Sequence, residues 1–299
     1  MIESALECFL SVADERGLGL DGVHIDRAGS PAVGWRRWRA DERSDVYSVS
    51  KTFTSVAVGI AQGEGRLGLD DPVLAHLPQF ADTAAPGVED MTIRHLLTMT
   101  AGNDYTWDAP DGDCVGDAAQ LFLAAPLVAA PGTRYRYAGT NSYVLGRIVH
   151  ACSGQDLRDF LVPRLFEPLG IANPQWHRCP LGFPIGAVGL FLRTREIGML
   201  GRVLLDGGRW DGRQLVPSDY VELMQATRVD TGRPDADNRT YALHIWHCAR
   251  DGARRMDGLY GQFGIMLPEQ DACISTTAHY EGPTTDILDT VWDVLVPAL

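Results

Sequence analysis

The chain has 299 residues, 45% of them hydrophobic, which suits one large domain or two closely joined ones with a sizeable core. Its net charge of −13 argues against a nucleic-acid or anionic-membrane surface, since both need clustered Lys and Arg. No apolar run approaches a membrane span, and Met1–Glu7 carries acids where a leader would be basic, so a cytoplasmic protein is expected.

Residues 2–14 carry Ile2, Leu6, Phe9, Leu10 and Ala13, the spacing of an amphipathic helix. Val23-His24-Ile25 and Ala32-Val33-Gly34-Trp35 flank Ala28-Gly29-Ser30-Pro31 and predict a hairpin. A charged turn over Asp41–Asp45 leads to Tyr47-Ser48-Val49-Ser50-Lys51. The apolar residues Val49, Phe53, Val56, Ala57 and Ile60 then place Ser48 at a helix start.

Lys51 is the single lysine among 26 Lys and Arg residues. Arginine serves for solubility and ion pairs but keeps its proton; a buried lysine can release one and act as a base. Positions i and i+3 of a helix share a face, so Lys51 Nζ can reach Ser48 Oγ, as an activated serine nucleophile requires. A Ser-x-x-Lys match arises about once by chance in a chain of this size, and a solvated surface lysine is the plain alternative. The lysine count is what favours catalysis.

Gly63-Glu64-Gly65-Arg66-Leu67-Gly68 has the form of a dinucleotide fingerprint, but it closes a helix instead of following a strand, so it reads as a C-cap and turn. Asp70-Asp71-Pro72 reads as the N-cap of the next helix. Thr92–Met99 predicts a helix in which His95 is structural, and Tyr105–Gly116 a long surface loop suited to substrate contacts, with Tyr105 and Trp107 as pocket walls. Helices follow over Ala118–Ala125, Tyr143–Cys152 and Leu157–Leu165, so the stretch from about 46 to 175 is mainly helical. Further helices are predicted over Arg195–Asp206, from Ser218 as cap, and at Ile287–Leu295; strands over Tyr241–Cys248, Gly261–Leu267 and Ala272–Thr277.

The six cysteines are scattered without a Cys-x-x-Cys pair and are expected to be reduced. His244 and His247 would point to opposite faces of a strand, which argues against joint metal ligation. The Gly-x-Ser-x-Gly and His-Glu-x-x-His motifs and the P-loop are absent. No metal or cofactor is expected. What remains is acyl transfer by Ser48, for which Lys51 is one base and a tyrosine close to the amine, Tyr137 among nine, a second.

The motifs Tyr47-Ser48-Val49-Ser50-Lys51-Thr52-Phe53-Thr54, Gly65–Val73, Thr92–Gly102, Pro131–Tyr137 and Leu165–Gly170 together resemble the serine hydrolases related to class C β-lactamases, penicillin-binding DD-peptidases and their esterase relatives. The resemblance implies an α/β (α+β) fold. An antiparallel sheet (1–45 and 176–299) would be flanked by N- and C-terminal helices, with a mainly helical domain (46–175) inserted and the active site between them. It implies Ser48 as nucleophile, Lys51 as its partner, Tyr137 as the tyrosine of Tyr-x-Asn, and backbone N–H groups of Ser48 and Gln262 as the oxyanion hole. The third motif falls on Leu259-Tyr260-Gly261. Gly139 stands for the asparagine of Tyr-x-Asn and Leu259 for the cationic or histidine position; with Tyr260 and Gly261 these are candidate substrate contacts. Both departures weaken β-lactam and D-Ala-D-Ala recognition and turn the expectation toward a small ester or amide. The alternatives are β-lactamase or DD-peptidase activity, or a catalytically silent relative.

Overall fold

The structure, a computed structural model, describes residues 2–107, 116–250 and 252–299. In chain order come α1 (Ile2–Glu15), β1 (Leu20–Arg27), β2 (Val33–Arg36), β3 (Ser44–Asp45), α2 (Ser50–Gly63), α3 (Val73–His76), α4 (Ile93–Leu97), α5 (Ala118–Ala124), α6 (Gly139–Ser153) and α7 (Leu157–Leu161). There follow β4 (Phe191–Leu192), α8 (Thr194–Leu205), β5 (Arg209–Trp210), β6 (Arg213–Gln214), α9 (Ser218–Ala226), β7 (Val229–Asp230), β8 (Thr240–Tyr241), β9 (Trp246–His247), β10 (Arg254–Gly258), β11 (Gln262–Leu267), β12 (Ala272–Ala278) and α10 (Thr285–Thr290).

Eight strands form one antiparallel sheet in the order β2-β1-β12-β11-β10-β9-β8-β7. The N-terminal hairpin thus pairs with a strand formed some 250 residues later: Val23 faces Thr276 and Ile25 faces Ile274. Period-two alternation divides β11 between two cores. Phe263, Ile265 and Leu267 meet Phe9 of α1 and Ile287 and Leu288 of α10, while Met266 turns to Met256, Cys273 and α8. Terminal helices cover one face and α8 the other, with α2–α7 as the helical region. Glycine sets the distance of α8 from the sheet: a Cβ on Gly201 would lie 2.3 Å from Cys273 Sγ, and one on Gly264 2.9 Å from Ile197 Cγ2.

Several local expectations are corrected. Tyr241–Cys248 is not one strand but two, β8 and β9, paired across a turn in which His244 has φ 58°. The Arg-rich β10, unforeseen from its charges, is a central strand. Its Arg255 is 1% exposed and spends its guanidinium on Asp257 Oδ2 (2.8 Å), Asp237 O and Asn238 Oδ1 (2.5 Å each). A buried cation stands only when its donors are met in this way. Asp70 and Asp71 do not cap α3, whose N-cap is Pro72. Asp71 accepts from the Gly68 N–H (2.7 Å) and bonds His76, and Asp70 pairs with Arg94. Ser218 is the first residue of α9, after Pro217, and makes no capping bond. Helix α6 begins four residues early, at Gly139. Most of the expected Tyr105–Gly116 loop, and Cys114, lie outside the described residues; the other five cysteines are free thiols.

Helix α2 is buried on every side from Ser50 to Ala61. Its hydroxyls are satisfied across the fold: Thr52 donates to His244 O (2.8 Å), Thr54 to Gly186 O (2.7 Å) and Ser55 to Leu243 O (2.9 Å). Gly59 lets Tyr220 of α9 lie on the helix, since a Cβ there would be 2.3 Å from the ring. Gly59→Ala is expected to lower stability by about 1–3 kcal/mol through overpacking, despite the better helix propensity of alanine. Urea unfolding of the variant checks this; an unchanged or raised midpoint would disprove it.

Candidate active site

Ser48 stands in a tight turn, Tyr47–Val49, that leads directly into α2. The turn is held by Asp45, whose Oδ1 accepts the N–H groups of Tyr47 (2.7 Å) and Gly189 (3.1 Å). Burial raises the pKa of this carboxyl against the lowering effect of those two bonds. Ser48 remains partly exposed, so its hydroxyl can meet a ligand.

One helical turn on, Lys51 is 3% exposed. Its Nζ donates to Ser48 Oγ at 2.8 Å and to Ala187 O at 3.0 Å, and lies 4.9 Å from the centroid of the Tyr137 ring. Tyr137 is stacked on Trp246 (centroids 5.8 Å, 29°) and meets Tyr241 edge-on (5.9 Å). Trp246 in turn lies beside Arg255, 5.5 Å from its ring centroid. The three residues expected to act together are brought together.

Beneath them lies His244, 2% exposed. Its Nδ1 is 2.9 Å from Leu97 O and its Nε2 2.8 Å from Ser142 Oγ. A carbonyl only accepts, so Nδ1 carries the proton and Nε2 accepts from the serine hydroxyl. Burial, then the charge of Lys51, holds its pKa down at about 3, so a neutral imidazole lies under the amine.

The other predicted contacts divide. Tyr260 lies beside Tyr47, with ring centroids 5.1 Å apart, and Leu259 is exposed next to it. Gly261 closes the turn between β10 and β11 at φ 93°. Gln262 opens β11 opposite Gly258, and its side-chain amide donates to Leu259 O (3.1 Å) and Ala278 O (2.5 Å). Gly139 is buried at the start of α6. Trp107 is packed inward against Tyr143 (5.2 Å), with its backbone N–H on Thr140 Oγ1 (2.8 Å), and Tyr105 lies on Phe122 (6.5 Å). Sequence reasoning missed Ala187, Trp246, Tyr241 and the role of Asp45. A carbonyl acceptor leaves no side-chain signature, and the two aromatics had the look of ordinary strand residues. Among the described residues no cluster of His, Cys, Asp or Glu is placed to hold a metal, and no helix is long and apolar enough to cross a membrane.

Residues 21–296 match the Beta-lactamase family. The chain belongs to that family. The Ser48–Lys51 contact lies in the matched region. The chain is 36% identical over 197 residues to penicillin-binding protein 4 of Amycolatopsis lactamdurans, covering 62% of this chain and 50% of that protein. It is 25% identical over 272 residues to the 6-aminohexanoate-dimer hydrolase of Paenarthrobacter ureafaciens, covering 82% and 68%. The chain thus spans half of the length of the first relative and about two thirds of the second. A D-stereospecific amidohydrolase from Streptomyces superposes with a TM-score of 0.72 over 94% of this chain and 96% of its own, at 19% identity, which shows the shared β-lactamase-type fold.

The buried imidazole sets an acid limit on this family member. Unfolded, His244 takes its proton near pH 6.5; folded, near 3. The unfolded state therefore binds more protons between those values, and stability falls as pH drops through that window. His247, held down at about 4 by burial and then by Arg228, acts in the same sense. His244→Asn, which tolerates φ 58°, is expected to flatten the loss of stability between pH 7 and 4.5 in denaturant titrations. An unchanged slope would refute this.

Proposed function

We propose that this chain hydrolyses a small ester or short amide through an acyl-enzyme on Ser48. The observation that carries the reading is the contact of the chain's one lysine, enclosed from solvent, with a reachable serine hydroxyl at 2.8 Å.

In its unprotonated form Lys51 keeps one N–H on Ala187 O and turns its lone pair to Ser48. It takes the hydroxyl proton as Oγ bonds to the substrate carbonyl carbon. The carbonyl oxygen becomes an oxyanion, which backbone N–H groups stabilise. When it collapses, the bond to the leaving atom breaks, and that atom takes the proton through Tyr137, whose ring lies beside the amine. Water then adds to the acyl carbon by the same proton route reversed, releasing the acid and restoring Ser48.

The oxyanion donors we assign are the N–H of Ser48 and one from the turn after β10. Sequence matching favours Gln262 for the second. Strand β10, however, is the one pressed against the nucleophile turn: a Cβ on Gly258 would lie 2.4 Å from Val46 O. Gln262 stands on the next strand, so the N–H of Leu259, directly after Gly258, is the better candidate.

The likeness to a 6-aminohexanoate-dimer hydrolase supports hydrolysis of a small amide-type substrate, and neither Met256 nor Leu259, the side chains at the two ends of the Met256–Leu259 stretch, offers a cation to a β-lactam carboxylate. The penicillin-binding relative favours the second reading, action on β-lactams or D-Ala-D-Ala peptides. A fluorophosphonate is expected to label Ser48, and Ser48→Ala to abolish both labelling and turnover of p-nitrophenyl acetate. Lys51→Arg is expected to lose about 10³-fold in kcat, because a guanidinium cannot take the proton. Efficient nitrocefin hydrolysis with negligible ester turnover would shift the assignment to the second reading; an unlabelled, folded protein without turnover would make it a silent relative.

A further inference from the structure

Seven non-glycine residues among those described have a positive φ. Three are Asn173, Asp211 and Asp271, types that tolerate the left-handed region in turns. The other four, Tyr47 (47°), Met99 (58°), His244 (58°) and Tyr260 (63°), all gather at the site. Met99 is packed with Tyr241 and Trp246, and His244 lies under Lys51. Strain of this kind persists only where the surroundings enforce it, and it points to a side chain that is needed where it stands.

For Met99 and His244 the structure supplies a reason within the protein: one packs under the aromatic cluster, the other bonds Leu97 and Ser142. Tyr47 and Tyr260 have no such inward task. Their rings meet edge to face at 66° beside Ser48, the residue after Tyr47, and Tyr260 stays 38% exposed, Leu259 57%. Their backbones are fixed. Asp45 accepts the Tyr47 N–H, Tyr260 O accepts the Tyr280 N–H (3.2 Å), and Gly261 is pressed on Ile287, from which a Cβ would be 2.4 Å. The Tyr47 phenol has its pKa raised by burial, then Asp45, then Tyr260, and among the described residues no cation acts against that shift.

We propose that Tyr47, Tyr260 and Leu259 form the subsite for the acyl group, and that it selects uncharged acyl groups ending in a flat aromatic or bulky apolar unit. The inference rests on the acyl-enzyme reading above. The leaving atom has to meet its proton donor, so the leaving group lies on the side of Tyr137, which Trp246 and Tyr241 hold by β8 and β9. The acyl substituent then extends away from Tyr137, and the exposed tyrosine pair next to Ser48, at the end of β10, is the wall we assign to it. Two rigid aromatic walls offer apolar area at little entropic cost and no positive charge to balance a carboxylate.

The test compares p-nitrophenyl acetate, butyrate, phenylacetate and the negatively charged hemisuccinate, with an alcohol series of acetate esters alongside. The wild type is expected to prefer phenylacetate to acetate about 10-fold or more in kcat/KM and to turn over the hemisuccinate worst. Tyr260→Gly removes one wall and relieves the backbone, because glycine takes φ 63° freely. It is expected to melt no lower than the wild type while the phenylacetate-to-acetate ratio falls about 10-fold, mainly through KM. Tyr260→Phe is expected to restore the ratio. An unchanged ratio in a folded Tyr260→Gly, or a change that follows the alcohol series instead, would overturn the subsite. Failure of Ser48 to take a fluorophosphonate, with no ester turned over, would overturn the acyl-enzyme reading itself and the subsite with it.

Discussion

Everything at this site depends on one amine held between two oxygens. Lys51 Nζ reaches Ser48 Oγ and Ala187 O at hydrogen-bond distance while being almost closed off from water. Desolvating a nitrogen in this way is costly unless its bonds are made inside the protein. The surrounding fold meets that demand from three directions. Helix α2 presents the lysine one turn after the serine, the 186–189 stretch supplies a carbonyl, and the β8–β9 turn brings up a neutral imidazole instead of a second charge.

That arrangement explains why α2 is buried all round. A helix with one apolar stripe would lie on the surface and leave its first turn wet. Here Thr52, Thr54 and Ser55 spend their hydroxyls on the carbonyls of His244, Gly186 and Leu243, so polar faces of the helix are packed inside without loss. The same bonds tie the helix to the two segments that touch the lysine, which makes the geometry of the amine a property of the whole middle of the molecule. Glu196, against burial, is held as a carboxylate by Arg43 and Arg193, which ties the start of α8 to the residues flanking the β3–β4 pair.

The strained backbones follow from the same crowding. Turns that meet at Ser48 must bend sharply, and four of them do so on Tyr, Met, His and Tyr where glycine would be easier. At other sharp bends the chain does use glycine, as at Gly132, Gly186 and Gly208, where a Cβ would strike His95, Ser142 O or Val216 O. The contrast separates bends that only need to turn from bends that also need a side chain.

Periodic helices, the 28–31 hairpin, the two long C-terminal strands and the Ser48–Lys51 pair were legible in the sequence, because each is set by spacing within a few residues. Family motifs added Tyr137 and the fold. Strand β10 was not legible: its charges carry no strand pattern, and Arg255 can be buried only because Asp237 and Asn238, from a separate segment, join Asp257 of the same strand around it. Nor was the break between β8 and β9, which exists because His244 is drawn to Leu97 and Ser142. Trp107 was expected at a pocket wall and is packed into the core, because Thr140 and Tyr143 hold it there. The sequence by itself determined that a lone lysine stands one helical turn from a serine. Only the tertiary structure decided what encloses that lysine, which carbonyl it bonds and which rings from elsewhere in the chain border the site, because Tyr137, Ala187, His244 and Tyr260 lie more than eighty positions away and no local pattern encodes their approach.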